Sequence, residues 1–247
     1  MKISSISDVH VVNDKDDRAK VLKSFLTNEI VLSSDYVIFL GDVFDCLVGE
    51  RPEQLKEYEE IFKLVEKILK NQSCKFIFIE GNHDFHVQNI MENKFSKYRN
   101  FFYRKKGLSL NVDKRKIYYC HGDDIEIGNP SYQLFRKIIR QDLVKYFFTC
   151  LYSLEKLTFL KKKIAKKSIK YFGEYSKKEE SFLKEKFRGS AQLISEEYGF
   201  DAVVCGHSHI EDHLSGANFD YVNNGFSRVS KKFVLFDSGK FSLVSLL

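Results

Sequence analysis

A chain of 247 residues, 43% of them hydrophobic, is long enough for one large core, and length alone demands no second domain. "MKISSISDVH" lacks an apolar stretch of signal-peptide length and no later run reaches the roughly 18 apolar residues of a membrane span, so the sequence reads as soluble and cytosolic. Five cysteines without a C-x-x-C pair argue against a disulfide framework and read as reduced, mostly buried thiols, while the net charge of +6 is uneven: 132–188 holds 16 Lys and Arg against 6 Asp and Glu.

In chain order, the first predicted element is a short strand in "KISSISDVH", which runs into Asp8 and His10. A second lies in "DYVIFLGDVFD" and delivers Asp42 behind Gly41. The helix expected over Glu53 to Asn71 places Leu55, Tyr58, Ile61, Phe62, Val65, Ile68 and Leu69 at three-and-four spacing opposite a charged face. Strands follow in "CKFIFIEGNHD", ending in Asn82-His83-Asp84 behind Gly81, and in "KIYYCHGDD", ending in His121. After Pro130, suited to a first helical turn, Leu134/Phe135, Ile138/Ile139, Leu143 and Tyr146/Phe147 form one apolar stripe with Arg136, Lys137, Arg140 and Lys145 off it. The last cluster-bearing strand is "DAVVCGHSH", in which Gly206 is expected to let the backbone turn sharply before His207 and His209. Val222 and Phe233 to Phe236 read as late strands and Asn224-Gly225 as a turn or bulge near the site, without a catalytic role.

Short apolar runs alternating with helices define an α/β protein, and such sheets gather ligands at the carboxyl edge of their strands. Taken singly, each polar cluster reads equally well as turn chemistry or a satisfied histidine. Five strand ends delivering only Asp, Asn or His read differently. Asp8, His10, Asp42, Asn82, His121, His207 and His209 combine imidazole nitrogens with hard oxygens, a set suited to Mn²⁺, Fe²⁺ or Zn²⁺. Seven donors exceed one tetrahedral ion and suit two ions about 3.5–4 Å apart.

These five blocks, Asp8-x-His10, Gly41-Asp42-Val43-Phe44-Asp45, Gly81-Asn82-His83-Asp84, His121-Gly122-Asp123 and Gly206-His207-x-His209, resemble the signature of the calcineurin-like metallophosphoesterases, in family order. The resemblance implies a four-layer αββα sandwich. It implies Asp8, His10, Asp42 and His209 around one ion and Asp42, Asn82, His121 and His207 around the other, with Asp42 bridging. It also implies that His83 stabilises the transition state or protonates the leaving group, with Asp84 positioning it.

"GDVFDCLVGE", "GNHDF" and "HGDDIEIGNPSYQLFRKIIR", with Tyr132, Gln133, Phe135 and Arg136, further resemble the bacterial UDP-2,3-diacylglucosamine hydrolases of lipid A synthesis. That likeness implies one metallophosphoesterase domain over 1–247 with a helical lid inserted at about 132–188. It implies a lipid-linked nucleotide sugar as substrate, cleaved to UMP and 2,3-diacylglucosamine 1-phosphate, two divalent ions with Mn²⁺ favoured, and a place on the cytoplasmic face of the inner membrane. Asn82, His83, Asn129, His207, Arg136 and Lys177 would then contact phosphates or sugar. The chain departs from the hydrolases at His83, where they carry Arg, and at Gly128-Asn129, where they carry an acidic pair.

On its own terms the basic segment allows three readings: a solvated helix packed on the sheet, a lid laying Lys161, Lys162, Lys163, Lys166 and Lys167 against anionic lipid headgroups, or a nucleic-acid surface. The alternative activity is accordingly a metallophosphodiesterase or nuclease acting on nucleotides or nucleic acid. A non-catalytic binding scaffold is the reading that seven intact donors disfavour.

Overall fold

The structure, a computed structural model, describes residues 1–126, 129–151 and 175–246. The expected lid lysines Lys161 to Lys163, Lys166 and Lys167, and Gly128 of the expected departure, lie outside the described residues.

All five cluster-bearing strands form, as β1 (Lys2–Ile6), β2 (Tyr36–Leu40), β4 (Lys75–Ile79), β8 (Arg115–Tyr119) and β9 (Ala202–Cys205). The others are β3 (Leu47–Val48), β5 (Asp84–Phe85), β6 (Phe101–Arg104), β7 (Leu108–Val112), β10 (Glu211–Ser215), β11 (Asp220–Asn224), β12 (Lys232–Asp237) and β13 (Lys240–Ser245). Six strands form one sheet in the order β13-β12-β1-β2-β4-β6, five form a second in the order β10-β11-β9-β8-β7, and β3 pairs with β5. The helices are α1 (Asp17–Thr27), α2 (Glu29–Leu32), α3 (Glu59–Leu69), α4 (Gln88–Lys94), α5 (Pro130–Ile139), α6 (Asp142–Tyr146), α7 (Lys177–Tyr198) and α8 (Ser227–Ser230).

The period-2 alternation of each strand sorts its side chains into layers. In β2 and β4, Val37, Phe39, Phe76 and Phe78 join Phe25 of α1 and Phe62 and Val65 of α3 in one core. Their alternates Ile38, Leu40, Ile77 and Ile79 meet Ile117, Tyr119, Val204 and Val222 of the second sheet. Behind that sheet, Val203, Cys205 and Tyr221 pack under Phe187 and Ala191 of α7. Helix, sheet, sheet, helix is the expected α/β sandwich, with most of the buried phenylalanines in the first helix–sheet gap and mainly aliphatic residues between the sheets.

Two helices differ from their sequence reading. The expected helix from Glu53 begins as a 3₁₀ turn, Pro52–Tyr58, and becomes α3 only at Glu59, where the Asp14 carboxylate accepts from the N–H groups of Glu60 (2.8 Å) and Ile61 (3.2 Å). The single amphipathic helix expected after Pro130 is two, α5 and α6, parted at Gln141, whose backbone is extended. The break follows from what holds its end. His86 Nε2 donates to the Ile139 carbonyl (2.8 Å), and Arg140 reaches to Glu80 (2.8 Å) and Asp123 (3.3 Å).

Glu80 is almost fully buried, so Arg140→Ala removes the cation paired with its carboxylate; the expected loss is about 3 kcal/mol by urea denaturation. Burial already raises the Glu80 pKa, so the loss should shrink as pH falls from 8 toward 5 and the acid takes up its proton. A pH-independent loss would show that Glu80 is not the group left exposed to the penalty.

Candidate metal centre

Parallel pairing of β1, β2 and β4, and of β8 and β9, brings the carboxyl ends of all five strands together. Beyond those ends the backbone takes left-handed φ values at Asp8 (53°), His10 (53°), Asp42 (51°), His207 (67°) and His209 (58°). Asp and His tolerate this conformation better than most residues, yet each instance costs of order 1–3 kcal/mol and persists only where the surroundings enforce it. Five of the seven expected ligands are therefore held in strained backbone, a local pattern of functional sites.

Donor atoms of Asp8, His10, Asp42 and His209 all lie within 4.8 Å of one another. His209 Nε2 stands 3.1 Å from Asp8 Oδ1, and His10 Nε2 stands 3.5 Å from His209 Nε2 and 3.8 Å from Asp42 Oδ2. Ligands bound at about 2.0–2.2 Å to one ion are separated by about 3–4.4 Å, so this set fits a single divalent cation. On the other side of Asp42, His121 Nε2 lies 3.5 Å from Asp42 Oδ2 and 3.0 Å from Asn82 Oδ1. Asp42 Oδ2 thus sits between the two sets, the place of a bridging carboxylate. His207, expected in the second set, has Nε2 3.1 Å from Glu126 Oε2, with its ring 5.0 Å from that of His121.

Charge points the same way. Asp8, Asp42, Asp45 and Asp84 are all essentially buried. Burial and the neighbouring Asp42 charge push Asp84 up to about 7. Burial disfavours the charged rings of His121 and His83, but Asp42, joined at His83 by Asp45, overrides it and raises them to about 10 and about 9. Burial also opposes the charged form of Asp42, and the surrounding imidazoles hold its pKa well below the usual carboxylate range regardless. A buried cluster that draws protons onto imidazoles is one suited to cations.

Polar contacts at the second ring nitrogen orient these imidazoles. His121 Nδ1 is 3.0 Å from the Leu40 carbonyl and His10 Nδ1 is 3.4 Å from Asp45 Oδ1, which turns Nε2 of each toward the cluster, as outer contacts of metal-bound imidazoles do. Asp84 does not perform the expected positioning of His83. Its carboxylate accepts from four backbone N–H groups, those of Asp42 (2.9 Å), Gly81 (2.8 Å), Val43 (2.8 Å) and Phe44 (3.1 Å), and so ties the loops after β2 and β4 together. Asp45 takes the His83 role: its carbonyl lies 2.8 Å and its carboxylate 3.6 Å from His83 Nδ1.

Gly206 also serves differently from its sequence reading. Its φ is not among the left-handed ones; a Cβ there would overlap the Asp8 carboxylate and the Ser7 hydroxyl, so the requirement is space. Gly41 needs both, with φ of 82° and a Cβ position 2.7 Å from Gly81 Cα.

The remaining expected contacts are further out. Asn129 caps α5, accepting from the Tyr132 N–H (3.2 Å) and donating to Glu126 (3.1 Å). Arg136 is paired with Asp123 at 2.6 Å, and Lys177 is exposed at the start of α7. Three residues given no role in the sequence reading support the centre from β11 and beyond. Asn224 accepts from Ser7 Oγ (2.8 Å), itself bonded to Asp8, and Asn223 donates to the Gly206 carbonyl (2.7 Å). Phe226 stacks on the His209 ring at 5.0 Å and 4°.

Comparison with known proteins finds relatives over most of the chain. A "UDP-2,3-diacylglucosamine hydrolase" of Haemophilus influenzae is 26% identical over 206 residues, covering 83% of this chain and 82% of that one. Another so named, from Psychromonas ingrahamii, is 25% identical over 213 residues, covering 85% and 81%. A solved phosphoesterase from E. coli aligns over 100% of this chain and 93% of its own, at 12% identity and a TM-score of 0.47. The family description "Calcineurin-like phosphoesterase" matches residues 1–211. Family match and strand-end geometry together establish that the chain belongs to the calcineurin-like phosphoesterases and is a metal-dependent hydrolase of phosphoester or phosphoanhydride bonds.

Proposed function

We propose that the chain cleaves the pyrophosphate of UDP-2,3-diacylglucosamine to UMP and 2,3-diacylglucosamine 1-phosphate, using Asp8, His10, Asp42 and His209 for one divalent ion and Asp42, Asn82, His121 and His207 for a second, with Mn²⁺ the favoured metal. The relatives bearing that name supply the substrate class. The observation that carries the reading to this chain is the apolar row of α5 and α6. Leu134, Ile138 and Leu143 are 60%, 52% and 79% exposed, and only Ile139 of the row is buried, against Val48 and Phe85. A helix merely packed on the sheet would bury that row. The row begins over the metal centre, where the Tyr132 ring lies 5.2 Å from that of His207, and it suits acyl chains.

Divalent ions held by these residues supply Lewis acidity at phosphoryl oxygens and a nucleophile of lowered pKa. The protein contributes the rest. Asp42 fixes the spacing of the two donor sets, and Asp45 holds His83 with Nε2 4.0 Å from Asp42 Oδ2, at the edge of the centre. From that edge His83 is placed to donate a proton to the departing oxygen. The region 132–188 acts as a lid over the acyl chains, its base fixed by Arg136 and Arg140 on Asp123 and by Arg51 Nε on the Phe148 carbonyl (3.1 Å). The substrate places the protein at the cytoplasmic face of the inner membrane; among the described residues no helix is long and apolar enough to cross it.

The test is UMP release from UDP-2,3-diacylglucosamine by purified protein in Mn²⁺. Saturable release is expected. Absence of release by protein that still cleaves bis(p-nitrophenyl) phosphate would move the substrate to nucleotides or nucleic acid.

A further inference from the structure

The two histidines after β9 look in different directions. His207 lies against Tyr132 of α5, while His209 stacks on Phe226 and forms one wall of a separate cleft of about 510 Å³. Tyr175, Glu180, Lys184, Glu211 and Val229 line the cleft with them. We infer that this cleft holds the nucleoside half of the substrate, an inference that rests on the hydrolase reading above.

Its volume falls in the range of small-ligand pockets. Its chemistry is that of an uncharged nucleoside reached from a phosphate. His209 in its wall is a donor of the metal centre; Tyr175, exposed beside it, offers aromatic surface to a base, and base–aromatic stacking is worth about 1–3 kcal/mol. Two carboxylates, Glu180 and Glu211, also line it, and carboxylates bind ribose hydroxyls. Each is steadied through one oxygen by a lysine, Glu180 by Lys184 and Glu211 by Lys232, both at 2.7 Å. Lys184 and Lys232 balance the two carboxylates, as suits the uncharged nucleoside end of the substrate. The substrate then lies across the centre, acyl groups over α5 and nucleoside over α8.

Val229 is 68% exposed on α8, so Val229→Trp fills the cleft at little risk to folding. Binding of labelled UMP to Mn²⁺-loaded protein is followed by equilibrium dialysis, with Leu193→Trp, on exposed α7 surface, as control. The UMP Kd should rise about tenfold or more in Val229→Trp and stay unchanged in Leu193→Trp, and the KM for UDP-2,3-diacylglucosamine should rise with it. Wild type should also bind UMP more tightly than its 2′,3′-dideoxy analogue, a preference that Glu211→Gln reduces. Equal UMP binding by wild type and Val229→Trp overturns the inference, as does a wild type that turns over the lipid substrate without binding UMP. UMP binding lost in Val229→Trp, in a protein that does not cleave UDP-2,3-diacylglucosamine, upholds the cleft and removes the lipid reading instead.

Discussion

Asp42→Ala should lower kcat/KM by about a thousandfold or more, measured as UMP release or on a generic phosphodiester. One oxygen of this residue stands 3.8 Å from His10 Nε2 and 3.5 Å from His121 Nε2, so its removal dissolves the link between both donor sets. Metal ions at such a centre contribute several kcal/mol of transition-state stabilisation, and each 1.36 kcal/mol is tenfold in rate. The carboxylate also accepts the His83 N–H at 2.8 Å, so the same change loosens the residue assigned to the leaving group. Alanine is small and the site buried, so circular dichroism should show the fold retained. Activity within tenfold of wild type would mean that the reaction does not pass through a centre bridged by Asp42.

Asp84→Ala should act on stability before chemistry. Four buried N–H groups lose their acceptor, and each unsatisfied buried donor costs about 1–3 kcal/mol. Relief of the Asp42–Asp84 repulsion offsets part of this, leaving an expected loss of about 3–5 kcal/mol in urea unfolding, beyond most single substitutions. Asp84→Asn keeps one acceptor and should fall between. If Asp84→Ala unfolded at the wild-type midpoint, the loops after β2 and β4 would not depend on this carboxylate.

How far the site could be read in advance depended on which signals are local. The five strand ends were legible because each is self-contained: a buried apolar run, a break and a polar cluster lie within about ten consecutive residues, and a parallel sheet brings such ends to one edge. Asp45 was within a quoted motif, yet its partner His83 lies on another strand end, and only the packing of the two loops decides between Asp45 and Asp84. "DYVNNG" follows the same strand-end grammar, with Asn223 and Asn224 behind a short apolar run. Read as a sixth strand end it would have pointed to the centre, because β11 runs parallel to β9 with Asn223 opposite Cys205. Glu126 carries no comparable signal; its contacts to His207 and to Lys186 of α7 exist only after α7 has packed behind the second sheet. The break between α5 and α6 was hidden for a like reason, since no Gly or Pro marks it and the tether is His86, 53 residues upstream.

The central claim is a two-ion centre shared through Asp42, and metal content tests it most directly. Wild-type protein stripped with chelator, reloaded with Mn²⁺ and desalted should hold two ions per chain by elemental analysis, and Asp42→Ala should hold fewer. Wild type that retains no divalent ion, or an Asp42→Ala variant that retains two, would contradict the account.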